Sequence, residues 1–349
     1  MEVPIHRDWP AVSVVMPVRD EERHLAEAVE RVLLQNYEGD LEVVLSVGPS
    51  RDRTAAIAAG LAERDQRIRV VDNPAGRTPN GLNAAIKAAR HGVVVRVDGH
   101  GLLSSGYIRR AVEVLQQTGA ANVGGIMQAE GETDFERAVA RAMTSPLGIG
   151  GARFHLGGEA GPADTVYLGV FRRDVLARLD GYDEHFVRAQ DWELNYRIRQ
   201  AGETVWFTPD LVVTYRPRST LRALATQFFR TGQWRREVIR RHPDTAGMRY
   251  LAAPAATVAI AGGAVAGVGA AAGGPAWLAI GWLAPAGYAA GIVVASLAAG
   301  RGLSPRARAW LPAVLAAMHL SWGTGFIVGS RRAACSRSNL TAPMERSER

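Results

Sequence analysis

Two short groups of polar residues carry side chains able to do acid–base or metal chemistry. In the first group, Asp98 and His100 flank Gly99. A bend at this glycine would aim both side chains at one point, where a carboxylate and an imidazole suit a divalent cation that bridges a diphosphate. The alternative is a turn with a capping aspartate and a solvated histidine. Spacing alone favours that turn, because motifs of this length occur often by chance.

Asp191 is the main candidate in the second group. It precedes a helix predicted over residues 192–200, and an aspartate at such a place is most often an N-cap. The same carboxylate at the mouth of a sheet would instead serve as a general base that takes a proton from a hydroxyl group. The residue types leave both interpretations open.

A third segment, residues 216–241, interleaves apolar and basic side chains. Its apolar positions are Leu221, Leu224, Phe228, Phe229, Trp234 and Val238. Its basic positions are Arg222, Arg230, Arg235, Arg236, Arg240 and Arg241. The pattern predicts an amphipathic helix on a membrane surface. A nucleic-acid patch is hard to reconcile with the uncharged segment that follows, and a merely solvated face would not carry so many aromatic residues.

Charge and cysteine content narrow the functional classes only slightly. The 349 residues include 41 basic and 34 acidic side chains, and the net charge of +7 fits nucleic acid, an anionic membrane or an anionic substrate equally well. Cys335 is the only cysteine, which excludes an intrachain disulfide and a cysteine metal cluster. Residues 1–8 contain no apolar segment, so we expect no cleavable signal peptide and a cytoplasmic location for the chemistry.

The composition changes near residue 250, because residues 251–300 contain no charged side chain. A helical run of this length reaches about 75 Å, enough for two crossings of a bilayer core about 30 Å thick. The predicted spans are residues 251–272, 276–299 and 310–329. The third span carries one titratable side chain, His319. The alternative is a buried helical hairpin, because the spans are rich in alanine and glycine. The length of the uncharged run favours the membrane.

Arginines around the first two spans predict a cytoplasmic location for both flanks. They are Arg235, Arg236, Arg240, Arg241, Arg301, Arg306 and Arg308. A third full crossing would place Arg331 and Arg332 on the other side, against the positive-inside rule. The third stretch is therefore re-entrant or interfacial, or the rule fails in this protein.

The first 240 residues alternate strands and helices, which must position the polar groups. Strands are predicted at residues 11–17, 41–47, 68–71 and 92–97, and helices at residues 21–35, 52–64 and 81–90. This alternation predicts a mostly parallel sheet with helices on both faces, which binds ligands beyond the carboxyl ends of its strands. The residues after Met16, Val47 and Val97 are therefore the first candidates. The turn after strand one lacks glycine and carries Glu21 and Glu22, which argues against a dinucleotide-binding dehydrogenase.

Short motifs occur in a fixed order at residues 17–22, 50–54, 78–83, 96–100, 171–173, 181–184 and 190–191. This set, extending over residues 12–241, resembles the inverting family 2 glycosyltransferases with the GT-A fold. Among them it is most similar to the succinoglycan-type exopolysaccharide glucosyltransferases of bacteria. Together with the amphipathic segment and the uncharged run, the resemblance predicts a catalytic domain over 1–217, an interfacial helix over 218–249, a transmembrane region over 250–330 and a tail over 331–349.

The resemblance also implies roles in binding a nucleotide-sugar donor. The residues implied to contact the donor are Pro17, Arg19, Glu21, Arg77, Asn83 and Asp98. Asp98 and His100 stand where the family usually has Asp-x-Asp, which implies a bound divalent metal, Mg²⁺ or Mn²⁺. His100 is a departure from that pair. Val47 is another, because the family commonly has an aspartate there that contacts the base.

Asp191 matches the position of the catalytic base in the resembling family. Gln227, Arg230 and Trp234 loosely match an acceptor-side or membrane-side element of processive members. Thr231 follows Arg230 where that element has tryptophan, which argues against a processive polymerase.

The resemblance implies a multi-pass cell-membrane enzyme that transfers a hexose with inversion. UDP-glucose is the first expectation for the donor, a lipid-linked glycan is the expected acceptor, and no nucleic-acid partner is expected. The competing hypothesis is a degenerate transferase that binds nucleotide and acts as a scaffold in polysaccharide assembly. Val47, His100 and Gln190 favour the scaffold, whereas Asp98 and Asp191 count against it.

The uncharged run over residues 251–300 predicts that the protein stays in the membrane fraction after high-salt and carbonate washing. Recovery of the full-length protein in the wash would contradict this. A chain ending near Arg249 should be more soluble. Its residual binding through Phe228, Phe229 and Trp234 should fall as salt rises, because the neighbouring arginine contacts with anionic lipid are screened.

Overall fold

The computed structural model describes residues 9–329, which form two compact units. The first unit comprises residues 9–130 with 151–216, and the second comprises residues 131–150 with 217–329. The tail predicted over 331–349, with Arg331, Arg332 and Cys335, lies outside the described residues. Residues 1–8 lie outside them as well.

One nine-stranded sheet forms the first unit. Its strands are β1 (Val12–Val18), β2 (Leu41–Val47), β3 (Ile68–Asp72), β4 (Val93–Arg96), β5 (Leu102–Leu103), β6 (Asn122–Ala129), β7 (Gly161–Pro162), β8 (Tyr167–Arg172) and β9 (Val205–Tyr215). The order is β3-β2-β1-β4-β8-β6-β9-β5, and β7 pairs with β9. Strands β1 to β4 run parallel, whereas β8 is antiparallel to both β4 and β6.

The described helices are α1 (Leu25–Leu33), α2 (Thr54–Arg64), α3 (Thr78–Ala88), α4 (Tyr107–Thr118), α5 (Asp134–Met143), α6 (Pro146–Ile149), α7 (Arg153–Leu156), α8 (Arg173–Arg178), α9 (Gln190–Gln200), α10 (Leu221–Arg241), α11 (Ala252–Ala271), α12 (Leu283–Ala299) and α13 (Pro305–Val328). Short 3₁₀ helices span Pro243–Thr245, Met248–Tyr250 and Ala276–Trp282. Helices α5, α6 and α10 to α13 belong to the second unit, and the others to the first.

Both faces of the sheet are buried. Alternate residues of its central strands point to opposite sides, and each set joins a different apolar cluster. On β1, Val14 and Met16 join one apolar cluster together with Val29 of α1. Val15, between them in the chain, joins a second cluster with Leu82 of α3. The predicted α/β class, a sheet with helices on both faces, is confirmed. The sheet is parallel over β1 to β4 and mixed beyond them.

Strand register brings the carboxyl ends of the parallel strands to one edge. Val18 is opposite Val47, Val47 is opposite Asp72, and Val15 is opposite Arg96. The loops after β1, β2, β3 and β4 therefore emerge side by side. This is the edge at which the sequence predicted the chemistry.

Helix α1 begins at Leu25, four residues later than the predicted start at residue 21. The predicted first turn is instead a loop, because the N–H groups of Glu21 and Glu22 donate to Thr54 and Asp52 of the next loop. Helix α3 begins at Thr78, three residues earlier than predicted, because Pro79 suits the first turn of a helix.

Helix α10 occupies the segment predicted to be amphipathic, and Thr220 caps it by accepting from the N–H of Ala223. Its aromatic face is covered by protein, since Phe228 and Trp234 are only 7% and 9% exposed. The expectation that these two rings contact lipid is therefore corrected for the full chain. Removing α13, which packs on α10, would uncover them.

Three helical segments are each long and apolar enough to cross a membrane, namely Met248–Ala271, Ala276–Ala299 and Pro305–Val328. Together they indicate membrane association. The third begins five residues earlier than predicted, because Ser304 accepts from the N–H of Ala307 and Pro305 occupies the first turn. Arg306 and Arg308 are therefore helical. The second segment starts as a 3₁₀ helix rather than an α-helix.

Candidate active site

The loop after β1 is fixed by hydrogen bonds to the loop after β2. Three backbone N–H groups of the first loop donate to side chains that follow β2. The N–H of Asp20 donates to Ser50 Oγ at 3.1 Å, that of Glu21 to Thr54 Oγ1 at 2.7 Å, and that of Glu22 to Asp52 Oδ2 at 3.0 Å. In return, the N–H of Arg51 donates to Asp20 Oδ1 at 2.8 Å. These contacts make one rigid rim from two loops, and the rim orients Arg19 and Glu21.

The loop after β3 is tied to the same rim through Arg19, whose Nη1 donates to the carbonyl of Gly76 at 3.0 Å. Gly76 has a φ of +61°, and a Cβ there would lie 2.9 Å from Pro49 Cδ. Only glycine fits this position without strain. The close approach lets the backbone after β2 and β3 form one wall of the site.

Arg96, the last residue of β4, is buried at the centre of the site and is 3% exposed. Its guanidinium donates to Asp98 Oδ1 from Nη2 at 3.0 Å and from Nε at 3.3 Å. Its Nη1 also forms an ion pair with Asp191 Oδ1. The ring of Tyr182 lies 5.8 Å from the guanidinium carbon. One buried cation thus contacts both carboxylates that the sequence singled out.

Electrostatic coupling in this cluster keeps both Arg96 and Asp98 charged. Burial by itself would lower the pKa of Arg96, but the negative charge of Asp98 raises it overall. Burial would likewise raise the pKa of Asp98, but the charges of Arg96 and His100 and the Arg96 hydrogen bond lower it overall. The pair is therefore ionised across the physiological pH range.

Asp191 is the second residue of α9, and Ala189 occupies the N-cap with a φ of 59°. No side chain caps this helix. The interpretation of Asp191 as an N-cap is therefore wrong. Its carboxylate is instead directed to Arg96 and is 26% exposed, which leaves it reachable by a substrate.

Asn83 of α3 fixes the loop that carries Tyr182. Its Nδ2 donates to the carbonyl of Tyr182 and its Oδ1 accepts from the N–H of the same residue, each at 2.8 Å. Because both ends of the amide contact one backbone position, Asn83 holds the Tyr182 ring beside Arg96. The described contacts of Asn83 are structural, and its predicted contact with a donor stays a prediction.

Glu21 and His100 meet across the first and fourth loops, with Glu21 Oε1 and His100 Nδ1 2.8 Å apart. Asp98, in the same loop as His100, uses one carboxylate oxygen for Arg96. Among residues 9–329, no three His, Cys, Asp or Glu side chains form a metal site by themselves. A cation held by Asp98 and His100 would therefore need further ligands from phosphate and water.

The other residues implied to contact the donor follow the same edge of the sheet. Pro17 pairs with Ser46 at the carboxyl end of β1. Arg77 is exposed at the N-cap of α3, and its carbonyl accepts from Asn73 Nδ2 at 3.1 Å. The structure therefore gathers the predicted donor residues around one edge.

The three predicted acceptor-side residues lie on α10, in the second unit. Gln227 Oε1 accepts from Arg218 at 3.1 Å, Arg230 is exposed, and Trp234 is buried. Within their unit these residues share one helix and do not form a pocket. Their predicted role on the acceptor or membrane side stays a prediction.

Known proteins resemble this chain along most of its length. Residues 13–180 match Glycosyl transferase family 2. Succinoglycan biosynthesis protein ExoA of Rhizobium meliloti is 32% identical over 254 residues, which cover 72% of this chain and 77% of that protein. The chain belongs to glycosyl transferase family 2. The resemblance read from the motifs is thereby confirmed.

Two more distant proteins are similar to this glycosyltransferase. The dolichyl N-acetyl-alpha-D-glucosaminyl phosphate 3-beta-D-2,3-diacetamido-2,3-dideoxy-beta-D-glucuronosyltransferase of Methanococcus voltae is 22% identical, over 66% of this chain and 74% of that protein. The mannosyltransferase PcManGT of Pyrobaculum calidifontis, solved with GDP-Man and Mn²⁺, superposes with a TM-score of 0.56 at 22% identity. That alignment covers 89% of this chain and 86% of that structure, and it supports the fold.

Sequence reasoning missed the role of Arg96 in this glycosyltransferase. One signal was available, because Arg96 ends the apolar strand Val93-Val94-Val95. A charge at the end of a buried strand needs a counter-charge. Which carboxylates supply it depends on the fold, since Asp191 lies far along the chain.

Arg96→Met should cost this glycosyltransferase at least about 100-fold in transfer rate and about 3–5 kcal/mol in the free energy of unfolding, because two partly buried carboxylates lose their shared cation. Arg96→Lys should fold but turn over slowly, because an ammonium lacks the planar fork that contacts both partners. Nucleoside-diphosphate release and thermal unfolding in detergent measure the two effects.

Arg172 provides the matched control, since it ends β8 and pairs with Asp174 and Glu203 at the surface. Arg172→Met should cost no more than about 1 kcal/mol and leave the transfer rate unchanged. Equal effects of Arg96→Met and Arg172→Met would refute the central role of Arg96.

Proposed function

We propose that this protein is an inverting hexosyltransferase that moves a sugar from a nucleotide-sugar to a lipid-linked glycan at the cytoplasmic face of the cell membrane, in polysaccharide synthesis. UDP-glucose is the donor to test first. The observation that carries the proposal is the contact of one buried cation, Arg96, with both Asp98 and Asp191 at the carboxyl edge of the sheet. Residues 1–217 form the proposed catalytic domain.

Asp191 is the proposed general base. Arg96 contacts its Oδ1, so we assign proton acceptance to Oδ2. The acceptor hydroxyl oxygen bonds to the anomeric carbon as its proton passes to Asp191 Oδ2. The bond from that carbon to the diphosphate oxygen breaks, and the diphosphate leaves with the electron pair. Attack opposite the leaving group inverts the anomeric carbon.

Asp98 belongs to the donor side of the proposed site. Arg96 orients it through hydrogen bonds to Oδ1, so we assign ligand binding to Oδ2. Asp98 and His100 would hold a divalent cation, Mg²⁺ or Mn²⁺, and such a cation neutralises charge on a leaving diphosphate. Arg19, Glu21 and the loops around them would line the nucleoside pocket.

The donor and acceptor classes rest on the related proteins. The Rhizobium meliloti relative is a succinoglycan biosynthesis protein, and the Methanococcus voltae relative is named for a dolichyl-phosphate-linked sugar acceptor. The first supports a role in polysaccharide synthesis, and the second supports a lipid-linked glycan as the acceptor here. Because the superposed mannosyltransferase was solved with GDP-Man, guanosine as well as uridine donors belong in the assay. A panel of UDP- and GDP-sugars with a membrane lipid extract tests the proposal, and absence of transfer and of donor hydrolysis would favour the scaffold.

Asp191→Asn should separate catalysis from donor binding. The amide keeps the shape of the side chain but cannot accept the proton, so we expect unchanged UDP binding with transfer slower by at least about 100-fold. Asp98→Asn should instead weaken metal-dependent UDP binding and transfer together. Calorimetric UDP titration and single-turnover transfer measure the two quantities.

Asp174→Asn is the matched control for this pair of variants. Asp174 is also the second residue of its helix and also pairs with an arginine that ends a strand, but at the exposed surface. Its amide variant should keep both binding and turnover. Near-normal turnover of Asp191→Asn would remove the assignment of the base.

His100→Asp tests the metal site through stability as well as activity. The new carboxylate would face Glu21, so the variant should unfold at a lower temperature without divalent ions and regain stability when Mg²⁺ or Mn²⁺ is added. Transfer should stay dependent on the added ion. A transfer rate that is unchanged in excess chelator, in wild type and variant alike, would contradict the metal role.

A further inference from the structure

The two uncharged segments before residue 300 form an antiparallel hairpin. Gly263 of α11 lies so close to Ala284 of α12 that a Cβ on the glycine would be 3.1 Å from the Cβ of the alanine. Gly267 packs against Trp282. Because the two segments run in opposite directions, the N-terminal end of α11 and the C-terminal end of α12 lie at one end of the hairpin. We call that shared end the near end.

Large apolar side chains of this hairpin are exposed, for example Val265 at 74%, Ile280 at 69% and Val294 at 65%. No other described part of the chain covers them. Exposed aliphatic residues on helices of this length are expected to face hydrocarbon. Helices α11 and α12 therefore have the surface of true membrane spans.

Helix α13 differs, because protein covers one of its apolar faces. Buried residues on this face include Leu311, Val314, Leu315 and Met318, whereas Trp310, Ile327 and Val328 remain exposed. Its neighbours include α5 and α10, which carry many charged residues. Packing against protein thus accounts for this apolar face of α13 without a bilayer around it.

Both ends of α13 touch the near end of the hairpin. At its start, Arg308 Nε donates to the carbonyl of Gly300, which follows α12, at 3.2 Å. Near its other end, Gly323 packs so closely on α11 that a Cβ would lie 2.6 Å from the carbonyl oxygen of Ala253. A helix that crossed beside the hairpin would have its second end at the far end instead.

Charged helices also flank both ends of α13. At the start, two residues of α5 make contacts: Asp134 accepts from Ser304 at 2.7 Å, and Arg141 donates to the carbonyl of Arg301 at 3.1 Å. At the end, Gln233 of α10 donates to the carbonyl of Gly329 at 2.8 Å. Helix α5 has only 10 residues and α10 carries six arginines, so neither helix is suited to cross a membrane.

We propose that only α11 and α12 cross the bilayer, and that α13 lies across the near end, where α5, α10 and α13 form one platform against the lipid headgroups. Charge inside hydrocarbon is costly, and this arrangement keeps the charged helices α5 and α10 out of it. The two ends of α13 are then on one side of the membrane. Arg301, Arg306 and Arg308 lie on that side as well, in agreement with the positive-inside rule.

The proposal depends on membrane association and not on sugar transfer, so the topology and the proposed reaction fail or stand separately. The full-length chain carries a natural reporter in Cys335, its only cysteine. Labelling with a membrane-impermeant maleimide is compared in right-side-out and inside-out vesicles. Two single-cysteine variants in a Cys335→Ser background give the reference sides, Arg301→Cys at the near end and Ala272→Cys at the far end.

We expect Cys335 and Arg301→Cys to be labelled from one face and Ala272→Cys from the opposite face. Labelling of Cys335 from the same face as Ala272→Cys would show that α13 crosses and would overturn the proposal. Labelling of Ala272→Cys and Arg301→Cys from one face would overturn the crossing hairpin. If Cys335 reacts from neither face, antibody access to a C-terminal tag gives the same comparison.

Discussion

A single buried guanidinium determines how the active edge of this protein is assembled. Arg96 ends an apolar strand and is 3% exposed, so its charge must be compensated within the protein. Asp98, two residues away, supplies one counter-charge, and Asp191 at the start of α9 supplies the other. Helix α9 must therefore dock with its first turn against the end of β4. Asn83 of α3 and Tyr182 of the loop before α9 complete the same cluster.

The sequence predicted the edge of the sheet but not this contact. Apolar strands such as Leu41–Val47 have a period that can be read directly, and the rule that parallel strands bind ligands at their carboxyl ends located the site. The pairing of Arg96 with Asp191 joins distant parts of the chain, so no local pattern encodes it. For the same reason, local spacing left Asp191 undecided between a cap and a base, whereas the N-cap at Ala189 excludes the first.

The start of α1 was missed because side chains of one loop bind the backbone of another. The N–H of Glu21 donates to Thr54, and this bond replaces the first turn that periodicity predicts for α1. A different ambiguity affects α13, because an apolar helix has the same composition whether lipid or protein surrounds it. Only burial separates the cases, with Leu311 and Val314 enclosed and Val265 and Ile280 exposed.

The shared cation also explains how the chain tolerates its departures from the family pattern. With His100 in place of the second aspartate, the proposed metal site has less negative charge, so its affinity for a cation would depend on Asp98 staying ionised. Arg96 ensures this by lowering the pKa of Asp98. Because the same guanidinium contacts Asp191, the spacing of the two carboxylates is set by one rigid planar group rather than by two flexible loops. A site that depends on precise placement of the acceptor hydroxyl gains most from such a constraint.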